Sequence, residues 1–395
     1  MHEKERAGSA LEVLVAAGKL GLTSFGGPIA HIGYFRDEYV RRRSWLSEDE
    51  FAELVGLSQS LPGPASSQLG IAIGMRRAGL RGGIAAWIGF TAPSAVALIG
   101  LAGFVRTHDV AGAGWVQGLK LVAVAVVAHA VFTMWRALVV DGRRAAVALA
   151  AAAILLLWSA PLAQVAVIGA GGVVGRLALS APTAQDRRRL SFSVGRRTGV
   201  AALATFSALL VLLPVAQRVT GSHSLALLDA LYHSGALVFG GGHVVLPLLE
   251  ARVVDSGWVS EEDFLAGYGA TQAVPGPLFT FAGYLGAVQE GAPNGVVGGS
   301  LALVAIFLPG SLLLVGVLPF WSTLRRRLGF SKALAGVNAA VVGLLLAALV
   351  RPVLTSAVDS ALALVVALGG LGALLLRAPP LIVVLGCVLA GLLVL

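Results

Sequence analysis

Charged residues are scarce, at 12% of the 395-residue chain, against roughly 25% in soluble domains. With 57% hydrophobic residues and a mean hydropathy of +0.86, that scarcity leaves no room for a sizeable soluble domain and marks a polytopic membrane protein. Cysteine is nearly absent. Cys387 alone excludes an intrachain disulfide and any multi-cysteine metal site. Catalytic signatures are missing as well: there is no Ser-x-x-Lys, Gly-x-Ser-x-Gly or His-Glu-x-x-His, no carboxylate pair inside an apolar segment and no Walker A sequence. Neither an intramembrane enzyme nor a self-contained pump is expected, and no cofactor or metal is expected either. The first residues lack a small-residue cleavage site behind a clean apolar core, so they read as mature sequence. The formal charge of +9 does not point to nucleic acid, because the arginines sit in short loops between apolar segments, where membrane orientation puts them.

What is present is a duplication. Ser44–Phe51 (SWLSEDEF) matches Gly257–Phe264 (GWVSEEDF), and Gln59, Pro62, Gly63 and Pro64 match Gln272, Pro275, Gly276 and Pro277 at the same offset of 213. Upstream, KLGLTSFGGP from Lys19 matches HSGALVFGGG from His233 at an offset of 214. Downstream, Pro93 aligns with Pro309, and Lys120 with Asn338. The chain therefore divides into a repeat over 1–190, a basic linker and linking helix over 191–223, and a second repeat over 224–395.

Loop charges set the orientation. The connector after the first hairpin carries Arg36, Arg41, Arg42 and Arg43, whereas its counterpart carries Arg252 alone. The first reads as cytoplasmic and the second as external. Spanning helices near 83–105, 111–135, 145–159 and 162–179, a linking helix near 199–216, and helices near 296–320, 331–350, 353–375 and 380–395 then give nine crossings. The segments 11–40, 51–78, 224–249 and 264–288 must enter the membrane and return on the same side. The expected fold is all-α: two inverted repeats, each with two re-entrant hairpins and about four spanning helices, the N-terminus cytoplasmic and the C-terminus external.

Within that fold the P-G-P segments acquire a role. A spanning helix needs ~20 apolar residues, and 51–61 and 64–77 are each too short. Proline at a first helical position loses nothing, so Pro64 and Pro277 read as starters of a second half-helix, with Pro28 doing the same after Gly26-Gly27. Broken backbone at membrane depth survives only against protein or a wet cavity. In inverted-repeat carriers such helix ends point their partial positive charge at an anion. The plainer reading is that Pro and Gly merely kink membrane helices; two copies at equivalent positions favour the functional one.

These segments resemble the chromate ion transporter family in its two-domain form. The likeness lies in FGGP with GLSQSLPGPASSQLGIAIG, and in FGGGHVVLP with TQAVPGP, and it extends over essentially the whole chain. The resemblance implies a transporter of the bacterial inner membrane that exports chromate, confers chromate resistance and handles the isosteric sulfate. It carries the family motifs onto Phe25, Gly26, Gly27 and Pro28; Gln59 with Pro62, Gly63 and Pro64; Phe239, Gly240, Gly241 and Gly242; and Gln272 with Pro275, Gly276 and Pro277.

A tetrahedral dianion needs several donors but must also be released, which favours amides and hydroxyls over clustered arginines. Gln59, Ser66, Ser67, Gln68, Gln272 and Thr280 are the donors nearest the breaks; alternatively they satisfy backbone groups freed by the prolines. Only four of the 29 basic residues are lysines. Lys19 and Lys120 lie in apolar segments, where a charge costs ~3 kcal/mol at the bilayer centre. Lys19 either snorkels to the interface or serves the site; Lys120 and its counterpart Asn338 are candidate substrate or site residues. His31, His243, Asp229 and His233 are candidates for charge coupling, with bracing of the half-helices the simpler role for the two residues that follow the breaks, His31 and His243. Exchange, proton coupling and potential-driven transport all remain open, as do a counter-ion, a homodimer and another small anion as substrate.

Overall fold

The computed structural model describes residues 8–25, 27–108, 113–158, 161–180, 194–239, 244–324 and 328–394. Gly26, Gly240, Gly241, Gly242 and His243, singled out above, lie outside the described residues, as do the basic stretches 187–189 and 325–327.

The first repeat runs through α1 (Ala10–Thr23), α2 (Gly27–Phe35) with a π-helical extension (Arg36–Arg42), α3 (Glu48–Ser60), α4 (Ala65–Thr107), α5 (Gly114–Leu138), α6 (Gly142–Leu157) and α7 (Pro161–Ala178). The linking helix α8 covers Arg196–Thr220. The second repeat follows the same order. It contains α9 (His223–Leu237), α10 (Val245–Val253), α11 (Glu261–Thr271), a 3₁₀ turn (Leu278–Thr280) leading into α12 (Phe281–Val288), α13 (Gly295–Val317), the single turn α14 (Trp321–Leu324), α15 (Leu328–Ala348), the short α16 (Thr355–Ala357), α17 (Ala361–Leu375) and α18 (Pro380–Val394). Among the described residues five helices, α4, α5, α8, α13 and α15, are long and apolar enough to cross a membrane by themselves.

Local chemistry explains the boundaries. The duplicated acidic motif is a pair of helix starts. Ser47 caps α3 in a reciprocal capping box with Glu50, and Ser260 caps α11 by accepting from the Asp263 N–H. The one-residue offset change between the repeats falls where the first repeat carries its π-helix, the form an inserted residue takes inside a helix. Helix α4 is two arms, 65–77 and 80–107, folded back at Ala78 and Gly79, where Gly79 has φ +62°. The expected crossing at 353–375 is shorter. Arg351 leaves helical geometry at φ −138°, ψ 122°, and an elbow through α16 precedes α17.

The repeats run in opposite directions. Along the long arm of α4, Trp87 stacks edge-on to Phe307 at 5.8 Å, Ile99 lies beside Gly299, and Arg106 reaches Gly295 and the Ala287 carbonyl. The equivalent helices α4 and α13 are thus antiparallel. The repeats also exchange helices: α5 packs on α17 and α18, and α15 packs on α6 and α7. Small residues make this possible. Gly171 and Gly175 meet Gly336, while Gly114 meets Gly391 and Gly118 meets Cys387, backbone against backbone.

One face gathers Arg76 and Arg77 with Trp45, over which Arg43 and Arg77 both stack at 5.2 Å. It also carries Arg143 and Arg144, which reach the Ala178 and Ser180 carbonyls at the end of α7. The opposite face carries Trp258, joined to Glu290 through the backbone and to His223 edge-on.

Candidate anion site where the broken helices meet

Helix α1 starts beside Arg77, to which the Gly8 N–H donates at 3.1 Å, and runs parallel to the long arm of α4 until Gly21 lies against Gly89 and Phe90. Phe90 is about ten residues, roughly 15 Å, along that arm, or half of a ~30 Å hydrocarbon core. So α1 stops at mid-depth, as does the short arm of α4 read from its other end. In the second repeat α9 stops where Gly235 meets Ile306 and Pro309.

At that depth two equivalent hydrogen bonds cross between the repeats. The Gly63 N–H donates to the Val238 carbonyl at 2.7 Å, and the Gly276 N–H donates to the Ser24 carbonyl at 2.9 Å. Each P-G-P glycine is thereby tied to the residue that precedes Phe-Gly-Gly in the other repeat. Gly63 and Gly276 have φ +121° and +107°, values that only glycine adopts without strain. A β-carbon at Gly63 would also meet the Gly310 Cα at 2.9 Å, and one at Gly276 the Ser94 Oγ at 2.8 Å. Gly310 and Ser94 are themselves equivalent, each following the aligned Pro309 and Pro93. The prolines sit one position earlier than expected: Pro64 is the cap residue before α4, and Pro277 precedes the 3₁₀ turn that opens α12. Either way, the first-turn N–H groups that follow lack intrahelical acceptors.

The individual side chains divide. Phe25 and Phe239 are half-buried beside the breaks, and Pro28 lies in the first turn of α2. Gln68 is fully buried, and its amide donates to the Pro62 carbonyl at 2.9 Å and the Gly310 carbonyl at 3.0 Å. It clamps the loop, and its remaining atom is an acceptor. Ser66 and Ser67 are buried, and the Ser67 hydroxyl has no partner within the protein. The Thr280 hydroxyl is taken up by the Pro277 carbonyl at 2.7 Å. Gln59 is exposed on α3; its equivalent Gln272 is half-buried with an unpartnered amide nitrogen. An amide exposed at mid-depth must face a watery vestibule, because lipid would leave it unsatisfied.

Of the candidate charges, His31 is fully buried with its ring edge-on to Phe90, whereas Lys19, Lys120, Asp229 and His233 are held in ion pairs. Lys19 pairs with Glu38 at 2.9 Å, joined by Arg43 at 2.8 Å and Arg42 at 3.2 Å. Burial opposes ionisation of Glu38, but hydrogen bonds from Lys19 and Arg43 outweigh it and hold the carboxyl below its usual range. His233, at the Lys19 position, pairs with Asp229 at 2.9 Å, and Arg252 approaches the same carboxylate at 3.9 Å. Lys120 pairs with Glu262 at 3.6 Å at the start of α11. Asn338 on α15 is half-buried with an unpartnered carbonyl oxygen.

Sequence reasoning did not single out two buried polar residues, Ser24 and Thr91, whose hydroxyls are unpartnered. The available signal was the repeat itself, which sets them against Val238 and Phe307. It also missed a cavity of about 330 Å³ on the Trp258 face, lined by Gln164, Glu250, Asp255, Glu261 and Arg351 among others. Glu250, at the end of the re-entrant α10, is pushed up to about 8 by burial and by the nearby Asp255 and Glu261. Asp255 in the following loop is raised by burial and by Glu261.

Antiparallel repeats, exchanged helices and broken hairpins meeting at mid-depth define a membrane transporter of the inverted-repeat class. The chain belongs to the Chromate transporter family, whose model matches residues 11–176 and 225–392, one match to each repeat. Among relatives, it is 28% identical to the probable chromate transport protein of Synechococcus elongatus, covering 84% of this chain and 81% of that one. It is 29% identical to the chromate transport protein of Pseudomonas aeruginosa, over 83% and 77%, and 26% identical to that of Cupriavidus metallidurans, over 86% and 82%. No solved structure matches the chain.

Proposed function

We propose that the protein exports chromate from the bacterial cytoplasm by alternating access, with sulfate competing for the same site. The observation that carries this reading is the crossed pair of bonds from Gly63 to Val238 and from Gly276 to Ser24. They draw broken helices of both repeats to one place, where open helix starts and neutral donors suit a tetrahedral oxyanion.

Sidedness follows from charge. The face with Arg36, Arg41, Arg42, Arg43, Arg76, Arg77, Arg143 and Arg144 is the cytoplasmic one, which puts Gly8 inside and the end of α18 outside. The inside-negative potential then favours outward movement of a dianion by ~2.3 kcal/mol per charge per 100 mV.

Alternation is supported by a difference between the repeats. Helix α11 is packed on α5, and Gly269 lies against the Leu119 carbonyl. Its counterpart α3 makes no comparable contact with α15, and a β-carbon at Gly56 would meet open space. The vestibule therefore opens along α3, from the basic face. Exchanging the two arrangements closes α3 onto α15 near Val337 and frees α11, opening the site to the other face. The test is chromate flux in inside-out vesicles carrying the protein. Uptake that unlabelled sulfate suppresses is expected; no chromate uptake above empty vesicles rejects the reading.

A further inference from the structure

The buried polar groups without partners are distributed unevenly about the convergence. Ser24 and His31 are 0% exposed, Ser67 2% and Thr91 3%. The three hydroxyls have no hydrogen-bond partner within the protein, and the His31 ring faces the Ser24 backbone without a well-formed hydrogen bond. All four residues belong to the first repeat; beside the breaks of the second repeat the unpartnered donor is the amide nitrogen of the half-buried Gln272. The equivalent positions of the second repeat hold Val238, Val245, Thr280 and Phe307, all buried. Three of these are apolar, and the Thr280 hydroxyl is satisfied within its own turn.

The four donors share a neighbourhood. Gly276 lies between the Ser24 carbonyl, to which it is bonded, and the stretch Phe90–Ser94, whose Phe90 carbonyl and Ser94 hydroxyl flank its Cα. Thr91 is in that stretch, and its carbonyl accepts from the Ser94 hydroxyl at 3.2 Å. The His31 ring stands edge-on to Phe90 at 5.3 Å. Phe35 packs on Phe90 at 5.1 Å and lies against Gly70, one turn from Ser67 on the same face of its helix.

Buried donors lacking an internal partner require one from outside. We propose that the oxyanion is held off the two-fold axis, on the first-repeat side, by Ser24, Ser67, Thr91 and His31, with Val238, Val245 and Phe307 forming an apolar opposing wall; this rests on the transport reading above. Three hydroxyls, an imidazole N–H and the open N–H groups at the start of α4 match the acceptor oxygens of chromate or sulfate. The two lysines within apolar segments are committed elsewhere, Lys19 to Glu38 and Lys120 to Glu262. The ion is thus bound by neutral donors and can be released. The one-sided wall also fixes which helices the ion accompanies: α1, α2 and both arms of α4.

The test is equilibrium binding of radiolabelled sulfate, with chromate as competitor, to purified full-length protein. Ser24→Ala, Ser67→Ala and Thr91→Val should each weaken binding about 5- to 10-fold, the scale of one lost hydrogen bond. Thr280→Ala, at the position equivalent to Ser67 but with its hydroxyl already taken up by the Pro277 carbonyl, should stay within about 2-fold, the scale expected when no hydrogen bond to the ion is removed. Removing an unpartnered hydroxyl should leave the melting temperature unchanged or higher, whereas loss of a structural hydroxyl lowers it. Equal losses in both repeats, no losses, or losses accompanied by lower melting temperatures overturn the off-axis site. Failure of the wild-type protein to bind either ion overturns the transport reading and the site together.

Discussion

Gly56 and Gly269 occupy equivalent positions in the two repeats, yet Gly269 lies against the Leu119 carbonyl while Gly56 faces open space. Two copies of one element are held in two packing states within one molecule. In an inverted repeat, such a pair describes both ends of the transport cycle. Gly56→Leu is therefore expected to fold with little change in melting temperature, because nothing lies within 4 Å, yet to abolish chromate flux by blocking closure of α3. Gly269→Leu should instead destabilise the packed arrangement by about 1–3 kcal/mol, the usual cost of overpacking. Thermal unfolding in detergent and vesicle flux separate the two outcomes.

The crossed glycines should resist substitution in both repeats. Gly63→Ala and Gly276→Ala combine positive φ with collisions at Gly310 and Ser94, and each is expected to cost roughly 2–4 kcal/mol. Gly221→Ala is the control. It is left-handed at φ +62°, ψ 11° but has open space around it, so about 1 kcal/mol is expected. Equal effects at all three positions would remove the argument for close contact between the repeats.

Much of this arrangement was legible in the sequence, because duplication exposes what a single copy hides. The matched P-G-P segments, the SEDE and SEED caps and the asymmetry of loop arginines together define two opposed repeats with re-entrant hairpins. Pairing across the repeats was not legible. Nothing in the chain says that Gly63 bonds to Val238 rather than to its own repeat, since that depends on how α4 and α13 cross. The glutamines illustrate the same limit. Gln59 and Gln272 look alike in sequence, but the different packing of α3 and α11 exposes one and encloses the other. Lys120 read as a substrate or site residue, since Glu262, with which it pairs, is distant in sequence.

Glu38 anchors the basic face through Lys19, Arg42 and Arg43. Its lowered pKa means that the unfolded chain takes up a proton first as the medium is acidified. The stabilisation is present above the ordinary carboxylate range and is lost as pH falls through the lower folded value. Glu38→Gln should lower stability at pH 7 by about 1–3 kcal/mol, allowing for three partly exposed cations. The difference from wild type should shrink toward pH 3. Melting curves across that range check it.

Glu250 has the opposite sign. With its pKa raised to about 8, the folded protein holds the proton more tightly than the unfolded chain, so stability declines as pH rises from the ordinary carboxylate range toward 8. Glu250→Gln keeps the neutral form and should flatten that decline, leaving the variant several degrees more stable than wild type at pH 9 and indistinguishable near pH 4. Asp255→Asn and Glu261→Gln should produce weaker versions of the same effect.

The central claim is that one oxyanion site is presented to two faces in turn by opposed repeats. Thiol labelling in sealed vesicles of known orientation tests it most directly, using Gln59→Cys and Gln272→Cys in a background where Cys387 is replaced by serine. The account predicts that Gln59→Cys is labelled only from the arginine-rich face and Gln272→Cys only from the opposite face. A chromate gradient should protect one position as it exposes the other. Labelling of both positions from the same face, or of both at once without response to chromate, would contradict it.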